Sequence, residues 1–152
     1  MLVYRLCREK YAHSLSGKGA ALSNNRWNSK GFEIIYTAES RALALAEILV
    51  HLSLQMLPQD FKVLEIEIPD DLAIQELKAA DLPRNWRDNP APPDTRLLGD
   101  QFLKSGKTAI MRVPSAVVAG DYNILINPQH KSFKSVKIKS ISPFPIDIRL
   151  KQ

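Results

Sequence analysis

Runs of β-favouring apolar residues crowd both ends of the chain, and two helix-like runs lie between them without a regular strand–helix rhythm. This order limits the fold more than any other feature. Strict alternation of strands and helices builds a parallel sheet covered on both faces. The order found here predicts a β-rich α+β domain, one unit over residues 1–152.

Residues 1–7, MLVYRLC, read as the first strand, and residues 32–37, FEIIYT, as a short second one. Residues 62–69, KVLEIEIP, alternate: Leu64, Ile66 and Ile68 share one face, while Val63, Glu65 and Glu67 take the other. Residues 108–114, 122–127, 132–141 and 144–150 also read as strands. In the third of these, Lys137 and Lys139 alternate with Val136 and Ile138, the mark of an edge strand guarded by lysines. Residues 71–83 read as a short helix or turn, and the Pro-rich residues 84–95 as a connector. Residues 95–106 read as an amphipathic helix closed by Gly106.

The other helix is expected over residues 37–56, with Thr37 as its cap and Glu39 in its first turn. Its run ALALAEILVHL is apolar nearly all round, so most of its sides should be buried. Glu47 interrupts that run. Glutamate is rarely buried without a partner. One reading places Glu47 on a narrow exposed stripe with Ser40 and His51. The other holds its carboxylate at the rim of a cleft, aimed at a substrate hydroxyl or a developing cation.

Residues 13–31 are rich in Ser, Gly and Asn and read as a long loop. A loop of this length inside a small domain is usually functional or disordered. It carries Arg26 and Trp27 side by side. Trp27 is expected to plug and anchor the loop. Arg5 shares a strand face with Val3 and Cys7. It marks an edge position, serves a structural ion pair, or binds a phosphate, whose oxygens match the guanidinium fork.

Several classes find no support. One cysteine and three scattered histidines give no metal-ligand spacing. Ser115 lies outside a G-x-S-x-G elbow. Gly99 and the Gly106-Lys107-Thr108 run stand too far apart for a phosphate loop and follow a helix instead of opening one. The N-terminal run is not a secretory signal, and no apolar run is long enough to span a bilayer, so a cytoplasmic location is expected. The net charge of +5 suits anionic partners and leaves a basic nucleic-acid-binding module open as an alternative.

An ordered set of short segments resembles the RES domain family. The set comprises Tyr4-Arg5; Gly17 to Ala21; Arg26-Trp27-Asn28 with Gly31; Tyr36 to Ser40; Ala46-Glu47; and Ile68-Pro69. It continues through Gly99-Asp100; Val113-Pro114-Ser115; Asn127-Pro128-Gln129-His130; and Asp147 with Arg149-Leu150. The resemblance covers nearly the whole chain. It implies a fold similar to that of ADP-ribosyltransferases and a toxin of a bacterial toxin–antitoxin pair. It also implies cleavage of the nicotinamide–ribose bond of NAD+ by phosphorolysis or hydrolysis, or else transfer of ADP-ribose to a protein.

NAD+ would then be a substrate, with no prosthetic group required. The partner would be an Xre-like antitoxin that covers the cleft in a hetero-oligomeric complex and carries any DNA binding. On this reading Arg5 and Arg26 grip phosphates or orient the ribose. Tyr36 stacks on nicotinamide or holds the ribose, with Trp27 beside it. Glu47 bonds the ribose hydroxyls and stabilises the cationic transition state, and Ser115 and Asn127 complete a polar wall. The family usually has two glycines where this chain has Asn24-Asn25. Asparagine is the best substitute for glycine at positive φ, so these two are expected to preserve the loop shape.

Overall fold

The computed structural model describes residues 1–151. Its strands are β1 (Leu2–Arg8), β2 (Ile35–Ala38), β3 (Phe61–Glu67), β4 (Ile74–Glu76), β5 (Ile110–Pro114), β6 (Tyr122–Ile126) and β7 (Lys137–Pro143). Its helices are α1 (Arg41–Leu49) and α2 (Pro93–Ser105). The strands form one mixed sheet in the order β4-β5-β6-β2-β1-β3-β7. The β4–β5 pair is parallel and the other neighbours are antiparallel. The architecture is α+β, as the order of elements predicts.

Alternation along the strands feeds two faces. Val3, Leu64, Ile66, Ile110, Ile124 and Ile126 bury together on one of them. The opposite face is divided. Leu6, Phe61 and Val63 meet Leu43 and Ala44 of α1. Met111, Val113 and Leu125 meet Phe102 of α2 and the indole of Trp27. Each fully buried aliphatic side chain contributes about 1.5–3 kcal/mol, so these clusters hold both helices to the sheet.

Between the two halves the sheet is weakly joined. β1 pairs with β3 from Leu2 to Arg8, but with β2 at one position, Tyr4 with Ala38. The strands splay beyond that pair, and a cleft opens between them. α1 packs on both β1 and β2, along the edge of that opening.

Several elements differ from expectation, among them residues 132–135, which belong to a 3₁₀ segment ahead of β7. The α1 helix is capped by Ser40, whose Oγ accepts the Leu43 N–H at 3.0 Å. Thr37 instead lies in β2 and donates to the Ile124 carbonyl at 2.7 Å. The helix stops at Leu49, and Val50 and Met56 beyond it are exposed. Within residues 71–83, β4 adds a short strand to the sheet edge, tied by Glu76 to Arg112 at 2.7 Å. Residues 144–150 form no strand. Asp147 bonds the Arg149 backbone and side chain, and the chain turns into a 3₁₀ segment, Ile148–Lys151. The lysine-bearing β7 is indeed an edge strand, with Lys137 and Lys139 exposed.

Candidate active site

Polar residues gather where the sheet splits. The cleft has a volume of about 870 Å³. That falls in the upper part of the range usual for small-molecule sites, about 300–1,000 Å³. Tyr4 and Arg5 of β1, Tyr36 to Ala38 of β2 and Glu47 of α1 line it, together with the 24–27 loop and Asn123 of β6.

Glu47 is half-buried and held by two donors. The Ser115 hydroxyl gives its proton to Oε1 at 2.7 Å, and Asn123 Nδ2 donates to the same oxygen at 2.6 Å. Ser115 Oγ also accepts the backbone N–H groups of Val117 and Val118, each at 3.0 Å. With its lone pairs so occupied, the hydroxyl must point at Glu47. Ser115 is fully buried. It orients the carboxylate and is not arranged as a nucleophile. Among the described residues no hydrogen bond reaches Oε2, which leaves that oxygen available on the cleft wall.

The long loop is ordered around Asn28, which is fully buried. Its Nδ2 donates to the carbonyls of Ala20 and Phe32 at 2.9 and 3.2 Å, and its Oδ1 accepts the Tyr36 hydroxyl at 2.7 Å. The same Tyr36 oxygen accepts the Trp27 N–H at 3.2 Å. Burial pushes the Tyr36 phenol well above its ordinary value. Trp27 seats its indole in the core, and its backbone lies directly on α2 at Gly99. A Cβ on Gly99 would stand 1.6 Å from the Trp27 carbonyl oxygen. Next along the chain, Asp100 accepts the Ser29 N–H and hydroxyl at 2.9 and 2.6 Å. A glycine followed by an aspartate on α2 thus fixes the loop to the helix.

Asn24 and Asn25 keep the loop by another route than expected. Among the described residues positive φ occurs at glycines alone, so neither asparagine takes the left-handed conformation. Asn25 Nδ2 donates to Ala20 O and Asn28 Oδ1 at 3.0 and 3.1 Å, and Asn24 Oδ1 accepts the Lys30 N–H at 2.8 Å. Their amide side chains, not backbone tolerance, shape the segment.

The cleft lining carries four arginines, Arg5, Arg26, Arg87 and Arg96, against one carboxylate, Glu47. Arg5 Nη1 donates to Ser16 O at 3.2 Å. Burial pulls its guanidinium below the ordinary value, partly offset by Cys7 nearby. The Cys7 thiol is pushed up by burial, against the attraction of Arg5, which fits a quiet core residue. Arg26 reaches across to the 84–91 segment, where its terminal nitrogens donate to the carbonyls of Trp86 and Asp88. Desolvation lowers the Arg26 pKa, while Glu47 is the largest of the charges opposing that shift. Arg26 thus faces the cleft and also ties a second segment to it.

Of the residues singled out in the sequence, Arg5, Arg26, Trp27, Tyr36 and Glu47 converge on the cleft. Ser115 sits behind Glu47. Asn127 does not join them. It lies just past the other end of β6 from Asn123, where its Nδ2 donates to Leu103 O at 3.3 Å and its Oδ1 accepts the Gln129 N–H at 3.0 Å. The asparagine in the polar wall is Asn123. Its signal was present in the sequence as an amide at the start of an otherwise apolar strand, a position that demands a buried partner. Arg87 and Asn89 were hidden in a segment that reads as a connector, and Arg96 at the start of the helix that follows it.

A similar fold occurs in a solved toxin–antitoxin complex of M. tuberculosis, MbcT–MbcA. The match covers 94% of this chain and 83% of that one, with a TM-score of 0.76 and 18% identity. The seven-stranded α+β fold is therefore a known architecture. The RES domain family model matches residues 2–147, and the chain belongs to that family. A relative from Yersinia enterocolitica, called Toxin Res, is 40% identical over 99% of this chain and 100% of its own length. Another from Sphingobium sp., called Prs ADP-ribosylating toxin, is 40% identical over 91% of this chain and 88% of its own.

Proposed function

We propose that this protein is the toxin of a toxin–antitoxin pair and that it cleaves the nicotinamide–ribose bond of NAD+. The observation that carries the reading is the pairing of one oriented carboxylate, Glu47, with four arginines in a single cleft. The names of its relatives and the M. tuberculosis complex support the toxin role. An Xre-like antitoxin that covers the cleft is the partner this reading expects, with the cytoplasm as the place of action.

NAD+ is anionic at its diphosphate and becomes cationic at the ribose as nicotinamide departs. The breaking C–N bond leaves its electron pair on the ring nitrogen, and neutral nicotinamide is released. An acceptor oxygen, from inorganic phosphate or water, then bonds the sugar carbon and loses its proton to solvent. Glu47 stabilises the transient positive charge electrostatically and accepts from the ribose hydroxyls through Oε2. Ser115 and Asn123 hold the carboxylate in place throughout, so no reorganisation is needed when charge develops. Arg5 and Arg26 draw the anionic part of the substrate into the cleft. Tyr36 lines the cleft beside it with its hydroxyl already committed to the loop, and the buried Trp27 indole anchors that loop.

A second reading, transfer of ADP-ribose to a protein, is favoured by the name of the Sphingobium relative. Incubation of the purified protein with NAD+, with and without inorganic phosphate, separates the outcomes by mass spectrometry. Nicotinamide with ADP-ribose or its phosphorylated form supports the first reading. Nicotinamide released only together with a mass-shifted protein supports the second. No release of nicotinamide under any condition overturns both.

A further inference from the structure

We infer that Arg87 and Arg96 form a diphosphate-binding wall of the cleft and set its preference for a nucleoside diphosphate over an uncharged nucleoside. The inference rests on the NAD+ reading but concerns residues outside the motif set that carries it. Both side chains line the cleft, and among the described residues neither has a carboxylate at ion-pair distance. A guanidinium lining a concave site without a counter-charge suits a phosphate, whose oxygens match its donor fork.

Each residue is also held in place. Arg26 donates to the carbonyls of Trp86 and Asp88, the residues on either side of Arg87. The Arg87 guanidinium packs over the buried Trp86 ring, 4.9 Å from its centroid. Arg26 is thus a positioning residue for Arg87. Arg96 stands in the first turn of α2, where a cation opposes the helix dipole and an anion is favoured. Among the described residues its side chain makes one hydrogen bond, a long one, 3.5 Å from Nη1 to Ala91 O. Two guanidinium groups lining one cleft can meet the two charges of a diphosphate. The ribose to be cleaved is then left to Glu47.

Calorimetric titration of the full chain with ADP, adenosine and inorganic phosphate tests this without reliance on turnover. The unaltered protein should bind ADP more tightly than adenosine. Removal of either guanidinium, in Arg87→Ala or Arg96→Ala, should weaken ADP by about tenfold or more, as expected for loss of a charge-assisted hydrogen bond. Adenosine binding should stay the same. Arg84→Ala, on the same segment but not lining the cleft, should bind like the unaltered protein. Arg87→Lys should recover part of the loss, and unchanged melting of the variants would exclude misfolding. An intact ADP preference in the Arg87→Ala/Arg96→Ala double variant overturns the inference. So does loss of inorganic phosphate binding alone, which would make these residues an acceptor site. If the unaltered chain binds ADP no better than adenosine the inference also falls, while the NAD+ reading is judged separately by nicotinamide release.

Discussion

Ser115 donates its hydroxyl proton to Glu47 Oε1 at 2.7 Å while its oxygen accepts two backbone N–H groups of the following turn. A serine from the end of β5 thereby controls the aim of a carboxylate on α1. Ser115→Ala should leave those N–H groups unpaired, at a cost of about 1–3 kcal/mol for each buried group left unsatisfied. Turnover should fall through kcat more than through KM, because the carboxylate loses its orientation and not its charge. Steady-state kinetics of nicotinamide release together with thermal melting check both parts.

Glu47→Gln keeps the size of the side chain and removes its charge. The variant should fold and melt near the unaltered protein yet no longer deplete NAD+. A loss of about 10²-fold or more is expected for removal of a main electrostatic stabiliser. Full turnover by a folded Glu47→Gln protein would remove Glu47 from the mechanism. Asn123→Ala should give an intermediate loss, since Ser115 still holds Oε1.

Gly99 has no room for a methyl group. Because a Cβ there would stand 1.6 Å from the Trp27 carbonyl oxygen, Gly99→Ala must push the loop away from α2. Overpacking of this kind costs about 1–3 kcal/mol or more. The expected outcome is a lowered melting temperature and increased proteolysis within residues 24–31, measured side by side.

Alkaline pH should reveal the Tyr36 environment. Its folded phenol binds the proton more tightly than the unfolded chain does, because burial disfavours the anion. As pH rises past the ordinary tyrosine value of about 10, the unfolded state ionises first and stability falls. The loss continues until the folded phenol's own higher pKa is reached. In Tyr36→Phe this decline should be shallower, although the variant should start less stable because Trp27 N–H and Asn28 Oδ1 lose a partner. Melting temperatures measured from pH 8 to pH 11 test the difference in slope.

Local patterns were legible wherever one period governs. The alternation at Leu64, Ile66 and Ile68 located a strand and its buried face, and Gly106 closed α2 with positive φ. The charge of Glu47 within an apolar helix singled out a residue that lines the cleft. Where local hydrogen bonds compete with pattern, reading failed: Asp147 and Arg149 turn the C-terminal run away from a sheet, and Ser40 starts α1 later than Thr37 would. Asn127 and Asn123 are equally polar ends of one apolar strand. Each amide signals a need for a buried partner, but which of the two meets Glu47 is set by which end of β6 lies beside α1.

What the sequence by itself determined was the α+β class, the family and the set Arg5, Arg26, Trp27, Tyr36, Glu47 and Ser115. These follow from periodicity, from the cost of polar groups in apolar runs and from an ordered set of motifs. What only the tertiary structure decided was their geometry. The splay of β1 from β2, the seating of Trp27 on Gly99 and the reach of Arg26 to residues 86–88 join segments far apart in the chain. Such contacts depend on how separate elements pack in three dimensions, and no local period encodes them.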